Sequence, residues 1–177
     1  IVTSVGEIAD RARHLTTQAK LPGRNYEHDD IGYNYRLSNL ASALGIAQLE
    51  QLEGFLSSKG QIAAEYRSCL DGLELTPPPS EEWAIPSFWL YSILLEHDDR
   101  DAVLEFLNAS KIAARPLWPP IHEQTPYRHL ERLGGEVSQD IYRRGVSLPS
   151  SVGLTSTEIK RVAQAVRQSL VATNSHH

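Results

Sequence analysis

At 177 residues the chain is long enough for one ordinary domain, or for a small domain plus a piece of another. Its composition, 41% hydrophobic and 22% charged, is globular, and a net charge of -5 gives no bulk attraction to nucleic acid or to an anionic membrane surface. The single Cys69 excludes an internal disulfide, and no apolar run approaches the roughly 20 residues of a membrane helix, so a cytoplasmic setting is expected.

The N-terminus lacks the basic stretch, apolar core and small-residue cleavage site of a signal peptide. Methionine is absent and a bulky Val2 follows Ile1, so Ile1 is expected to be an internal position of a longer polypeptide. Ile1-Val2-Thr3 reads as the tail of a β-strand. Ser4 and Glu7 form a capping-box pattern opening a helix with Val5, Ile8, Ala12 and Leu15 on one face. Residues 19–30 are polar and contain Pro22-Gly23, a loop long enough to cover or enter a site.

A long helical region is expected over residues 38–72, with Leu40, Leu44, Ala47, Leu52 and Phe55 spaced helically in its first half. Ile62, Tyr66, Cys69 and Leu70 continue it, with possible kinks at Gly54 and Gly60. Pro77-Pro78-Pro79-Ser80 ends the helix and marks a linker. Residues 88–95 form an apolar, aromatic-rich strand. A short helix over residues 101–107 buries Val103, Phe106 and Leu107, and a strand over residues 112–115 stops at Pro116. Residues 117–135 show little periodicity, 138–144 suit a helix, and Val146-Ser147-Leu148 a short strand ended by Pro149. A second capping box, Thr155 with Glu158, opens a final helix with Ile159, Val162, Ala163, Val166 and Leu170 on one face. The alternation implies a small α/β layer.

Phosphate-loop, dinucleotide and His-Glu-x-x-His patterns are all missing, so the histidines do not spell a metal site. His97-Asp98-Asp99 reads as a strand end and helix cap, and His176-His177 as a frayed tail. The informative segment is residues 26–40, where Tyr33, Asn34, Tyr35 and Arg36 cluster just before a helix. A helix N-terminus suits an anion, Asn34 carries two amide donors, and Arg36 can fork onto phosphate or carboxylate. The competing structural reading is a turn in which Arg36 pairs with Asp29 or Asp30.

The run Gly32-Tyr33-Asn34-Tyr35-Arg36-Leu37-Ser38-Asn39-Leu40, followed by Ala43-Leu44-Gly45 and Ala47-Gln48-Leu49-Glu50-Gln51-Leu52, resembles the DegT/DnrJ/EryC1/StrS family of sugar aminotransferases. The likeness continues through Ser87-Phe88-Trp89-Leu90-Tyr91, Arg115-Pro116-Leu117-Trp118-Pro119-Pro120-Ile121-His122 and Ser147-Leu148-Pro149-Ser150. It implies an α/β fold of the aspartate-aminotransferase-like type (pyridoxal-phosphate fold type I). On that reading the chain holds the C-terminal small domain and long connecting helix, and most of the large domain is missing. Residues 1–40 would end the cofactor-binding large domain and carry the active-site loop, 41–76 would be the connecting helix region, and 77–177 the small domain.

The resemblance further implies pyridoxal 5'-phosphate, a homodimer with shared active sites, and amino transfer from L-glutamate to a nucleotide sugar. Asn34 would bond the cofactor phosphate of the partner subunit, with Tyr33 and Arg36 beside it. His122 would approach the nucleotide sugar and His28 would line the site, each against the alternative of a satisfied structural histidine. Trp118 and Tyr127 are expected to pack. The stretch around His122 resembles members acting on UDP-linked 4-keto-6-deoxy-N-acetylhexosamines. The cofactor-holding lysine of the family has no match, because Lys20, Lys59, Lys111 and Lys160 stand in other contexts. No catalytic residue is therefore assigned, and this span alone is expected to be inactive. Two alternatives are a sugar dehydratase of the same family and a non-catalytic dimerisation or binding domain.

Overall fold

The computed structural model describes residues 1–23, 26–97 and 99–174. The His176-His177 tail and Asp98 lie outside that range. The chain divides into two compact units, Ile1–Gln51 and the residues from Leu52 onward.

The first unit holds α1 (Gly6–Thr16) and α2 (Asn39–Glu50), joined by a long loop. The capping box expected at Ser4 and Glu7 does not form. Val5 is the N-cap and has no side-chain capping bond, so Glu7 falls at the second helical position rather than the third, where reciprocal capping operates. The Val5 N–H instead meets Thr3 Oγ1 at 3.1 Å. Residues 1–3 form no strand. At α2 the cap is orthodox, Ser38 Oγ accepting from the Ala41 N–H at 3.2 Å.

The single helix expected over residues 38–72 is two helices, α2 and α3 (Leu52–Cys69). The break falls at Gln51, whose N–H turns back to the Gln48 carbonyl at 3.2 Å, while Gly54 and Gly60 sit inside α3. Gln51 is not a helix breaker, so nothing in the local sequence marks this end.

The second unit continues with β1 (Leu75–Thr76), β2 (Tyr91–Leu95), α4 (Arg100–Ala109), β3 (Arg115–Pro116), α5 (Glu136–Arg144), β4 (Gly145–Leu148) and α6 (Ser156–Asn174). The strands form one antiparallel sheet in the order β1-β2-β4-β3. β1 was not expected. Pro116 does not stop β3 but belongs to it, opposite Val146. An edge strand tolerates this, because proline lacks only a donor that the open side does not use.

The core of this unit draws Ile62, Tyr66 and Leu70 from the α3 region, Val103 and Leu107 from α4, and Ile159, Val162 and Val166 from α6. They pack with Tyr91, Ile93, Leu95, Val146 and Leu148 of the sheet. Tyr66 stacks on Tyr91 at 4.9 Å between ring centroids and donates its hydroxyl to the Pro149 carbonyl at 2.8 Å. Burial pushes both phenol pKa values up. The capping box at Thr155 forms as the spacing requires: Glu158 Oε2 accepts from the Thr155 N–H at 2.8 Å, and Thr155 Oγ1 from the Glu158 N–H at 3.3 Å.

Candidate functional site

The loop between α1 and α2 is stitched by backbone bonds. Leu15 and Thr16 carbonyls accept from Tyr33 and Tyr35 at 2.8 and 3.1 Å, and the Gln18 N–H reaches the Tyr33 carbonyl at 3.2 Å. Gln18 and Ala19 adopt positive φ of 65° and 51°. Gly32 allows the crossing: a Cβ there would stand 2.4 Å from Ala19 N and 2.8 Å from Leu15 O. An Arg11–Asp30 ion pair and a hydrogen bond between His14 Nε2 and Asp29 at 2.5 Å flank it. The Ile31 N–H and then Arg11 hold the Asp30 carboxyl below the usual range.

These contacts bear on the pairing of Arg36 weighed from the sequence. Both aspartates are engaged by α1, and neither pairs with Arg36. Tyr33, Asn34 and Arg36 are all exposed. The Asn34 amide and Arg36 guanidinium make no hydrogen bond or ion pair among the described residues. Tyr33 stacks on Tyr35 at 5.2 Å. The Asn34 main chain bridges Thr17, which fixes the backbone and leaves the amide outward. Exposed amide and guanidinium groups of this kind carry the donors that an anion uses. His28 is exposed, and its Nδ1 is bonded to the Gln18 carbonyl at 2.7 Å.

In the second unit, the motif segments converge on one cavity of about 680 Å³, lined by Lys59, Trp89, Arg115, Trp118, Ser147 and Ser150 among others. Lys59 anchors it. Its ammonium donates to the Trp89 carbonyl at 2.8 Å and to the Ser150 carbonyl, with Ser150 Oγ at 3.4 Å, and partial burial pushes its pKa down. Trp118, expected to pack, is 66% exposed and stacks on Trp89 at 5.8 Å. Lys59 and Trp89 were missed by sequence reasoning. Lys59 meets Ser150 across 91 residues, and no local pattern signals such a pairing.

His122 lies in a 3-10 turn, Ile121–Glu123. Its Nε2 is buried and has no partner among the described residues. A second cavity, of about 560 Å³, adjoins it and is lined by His122, Glu123, Arg128, Leu130 and Arg132. No helix among the described residues is long and apolar enough to cross a membrane, and none of their His, Cys, Asp and Glu side chains cluster as a metal site.

Solved aminotransferases share this architecture. Helicobacter pylori PseC, an aminotransferase involved in the biosynthesis of pseudoaminic acid, matches with a TM-score of 0.84 over 97% of this chain and 48% of its own, at 24% identity. The fold is therefore the α/β fold of that class of enzymes. Residues 1–167 match the DegT/DnrJ/EryC1/StrS aminotransferase family, and the chain belongs to it. A protein named GDP-perosamine synthase from Vibrio cholerae is 34% identical over 171 residues, covering 94% of this chain and 47% of the relative. One named UDP-N-acetyl-3-dehydro-alpha-D-glucosamine 3-aminotransferase, from Acidithiobacillus ferrooxidans, is 29% identical over 96% of this chain and 45% of its own length. The chain thus spans about half the length of the curated relatives it matches.

Proposed function

We propose that this chain is part of a pyridoxal-phosphate-dependent transaminase that moves an amino group from L-glutamate to a keto-sugar nucleotide. The family match across residues 1–167 carries this reading. The bound cofactor supplies an electron sink for the amino transfer. The chain's own contribution is to bind and orient. Asn34 and Arg36 offer exposed, uncommitted donors to the cofactor phosphate, reaching it in the partner subunit of a homodimer with shared sites, and Tyr33 stiffens the segment by stacking on Tyr35. His122 faces the nucleotide sugar.

None of the lysines is placed to hold the cofactor covalently. Lys59 is spent on main-chain oxygens and Lys20 lies over the Tyr26 ring at 4.2 Å. Lys111 sits in a turn at φ 58°, and Lys160 on α6. On this reading the span alone is expected to be inactive. For the sugar, the stretch from Arg115 to His122 supports a UDP-linked 4-keto-6-deoxy-N-acetylhexosamine. The 34% identity to a GDP-perosamine synthase favours a GDP-linked sugar as the second reading.

The test is glutamate-dependent amination of UDP- and GDP-linked keto-sugars by the full-length protein, followed by mass spectrometry. Amino-sugar nucleotide is expected from one of them, and none from this span alone. Failure of the full-length protein with glutamate on both substrates overturns the proposal. A cofactor absorbance band fixed by borohydride on this span alone overturns the assignment of its lysines.

A further inference from the structure

The cavity of about 680 Å³ beside β3 carries positive charge with no acid to balance it. Lys59 donates only to neutral oxygens, the carbonyls of Trp89 and Ser150 and, at 3.4 Å, Ser150 Oγ. Arg115 also lines the cavity, is exposed, and makes no hydrogen bond or ion pair among the described residues. Among those residues no aspartate or glutamate lines it. Much of the remaining wall is apolar, with Leu90, Pro119 and the stacked indoles of Trp89 and Trp118. The backbone holds this wall in place. Phe88, at φ 45°, packs against the core while Trp89 beside it is exposed, and a bulky residue keeps such a φ only where its surroundings impose it. The Trp89 carbonyl is held by Lys59 at 2.8 Å and by Ser150 Oγ at 3.2 Å.

A cleft walled by one sign of charge concentrates the opposite sign. A guanidinium with its donors free matches one carboxylate as a planar fork, and apolar walls around a few polar groups suit methylenes. A carboxylate on a short aliphatic stem meets both conditions. We infer that this cavity takes the side-chain carboxylate of the amino donor, forked onto Arg115, with the donor's methylenes against the apolar wall. The donor's α-carboxylate has no such stem, because it shares a carbon with the reacting amine. The inference rests on the proposed transaminase reading and assigns the residue that selects the donor. A phosphate of the nucleotide sugar is also an anion, so the test separates the two.

Glutarate has the carboxylates and the stem but no amine to react. In the full-length protein it is titrated by calorimetry into the wild type, Arg115→Gln and Arg115→Lys, with GDP and UDP in parallel. Arg161→Ala on α6 serves as a remote control. Arg115→Gln is expected to bind glutarate about tenfold more weakly. Arg115→Lys loses less, since charge returns without the planar fork, and it carries the test if the glutamine variant melts early. Nucleotide affinity is unchanged in both, and Arg161→Ala binds glutarate as the wild type does. The preference of the cofactor half-reaction for L-glutamate over L-glutamine should fall by about the same factor in Arg115→Gln, a ratio that general loosening of the fold would not move. Wild-type glutarate affinity in Arg115→Gln overturns the inference, as does a loss of nucleotide affinity in its place, or no glutarate binding by the wild type. The transaminase reading fails separately, if the wild-type cofactor gives no spectral response to glutamate while glutarate still binds.

Discussion

Replacing Gly32 by alanine probes the loop that carries Asn34. The added Cβ would stand 2.4 Å from Ala19 N, 2.5 Å from Gln18 C and 2.8 Å from Leu15 O, all of them backbone atoms. Ordinary contact is about 3.5 Å, so one strand of the crossing must move by roughly 1 Å. That movement stretches the bonds from Tyr33 N–H to Leu15 and from Gln18 N–H to Tyr33, now 2.8 and 3.2 Å. Overpacking and two lost bonds together cost about 2–3 kcal/mol. Hydrogen exchange at the Gln18, Ala19, Tyr33 and Tyr35 amides should then accelerate roughly 30- to 150-fold. Gly54→Ala is the matched control. Nothing lies within 4 Å of its Cβ position in α3, so alanine should stabilise by about 0.5–1 kcal/mol. Unchanged protection in Gly32→Ala would show that the loop is not held by this crossing.

Lys59→Met should destabilise by about 2 kcal/mol, since the Ser150 carbonyl loses its charged donor; calorimetry should register a fall of about 4–8 °C, partly restored in Lys59→Arg. Tyr66→Phe removes the bond to Pro149 and should cost about 1 kcal/mol in denaturant melts. Tyr91→Phe removes a buried hydroxyl with no partner among the described residues and should be neutral or stabilising. Asp140 has its pKa held down, chiefly by the Arg144 hydrogen bond. A depressed carboxylate stabilises the fold above the unfolded value near 3.9 and loses that contribution as pH falls through the lower folded value. The melting-temperature gap between wild type and Asp140→Asn should therefore be present at pH 7 and close in strong acid.

In the last helix both the apolar period and the reciprocal motif foretold the structure. The α6 face and its Thr155–Glu158 box formed as read, because side chains within one turn decide both. The Ser4–Glu7 pattern failed by one residue of helix start, a shift that spacing alone cannot register. The break at Gln51 and the strand pairing of Leu75 with Leu95 are set by tertiary partners, and so left no local mark. The same holds for Lys59, whose acceptors arrive from two distant segments.

The loop around Asn34 shows how structure narrows a choice that composition leaves open. Arg36 had two acidic neighbours in sequence, and a structural turn explained it as well as an anion site did. In the fold, both face α1: Asp30 is bonded by the Arg11 guanidinium and Asp29 by the His14 ring, and neither carboxylate pairs with Arg36. The loop backbone is meanwhile fixed by the Thr17 bridge and the Gly32 crossing. The structure thus fixes the backbone that carries Asn34 and Arg36 while leaving both side chains exposed and uncommitted among the described residues, which removes the structural turn as the reason for Arg36.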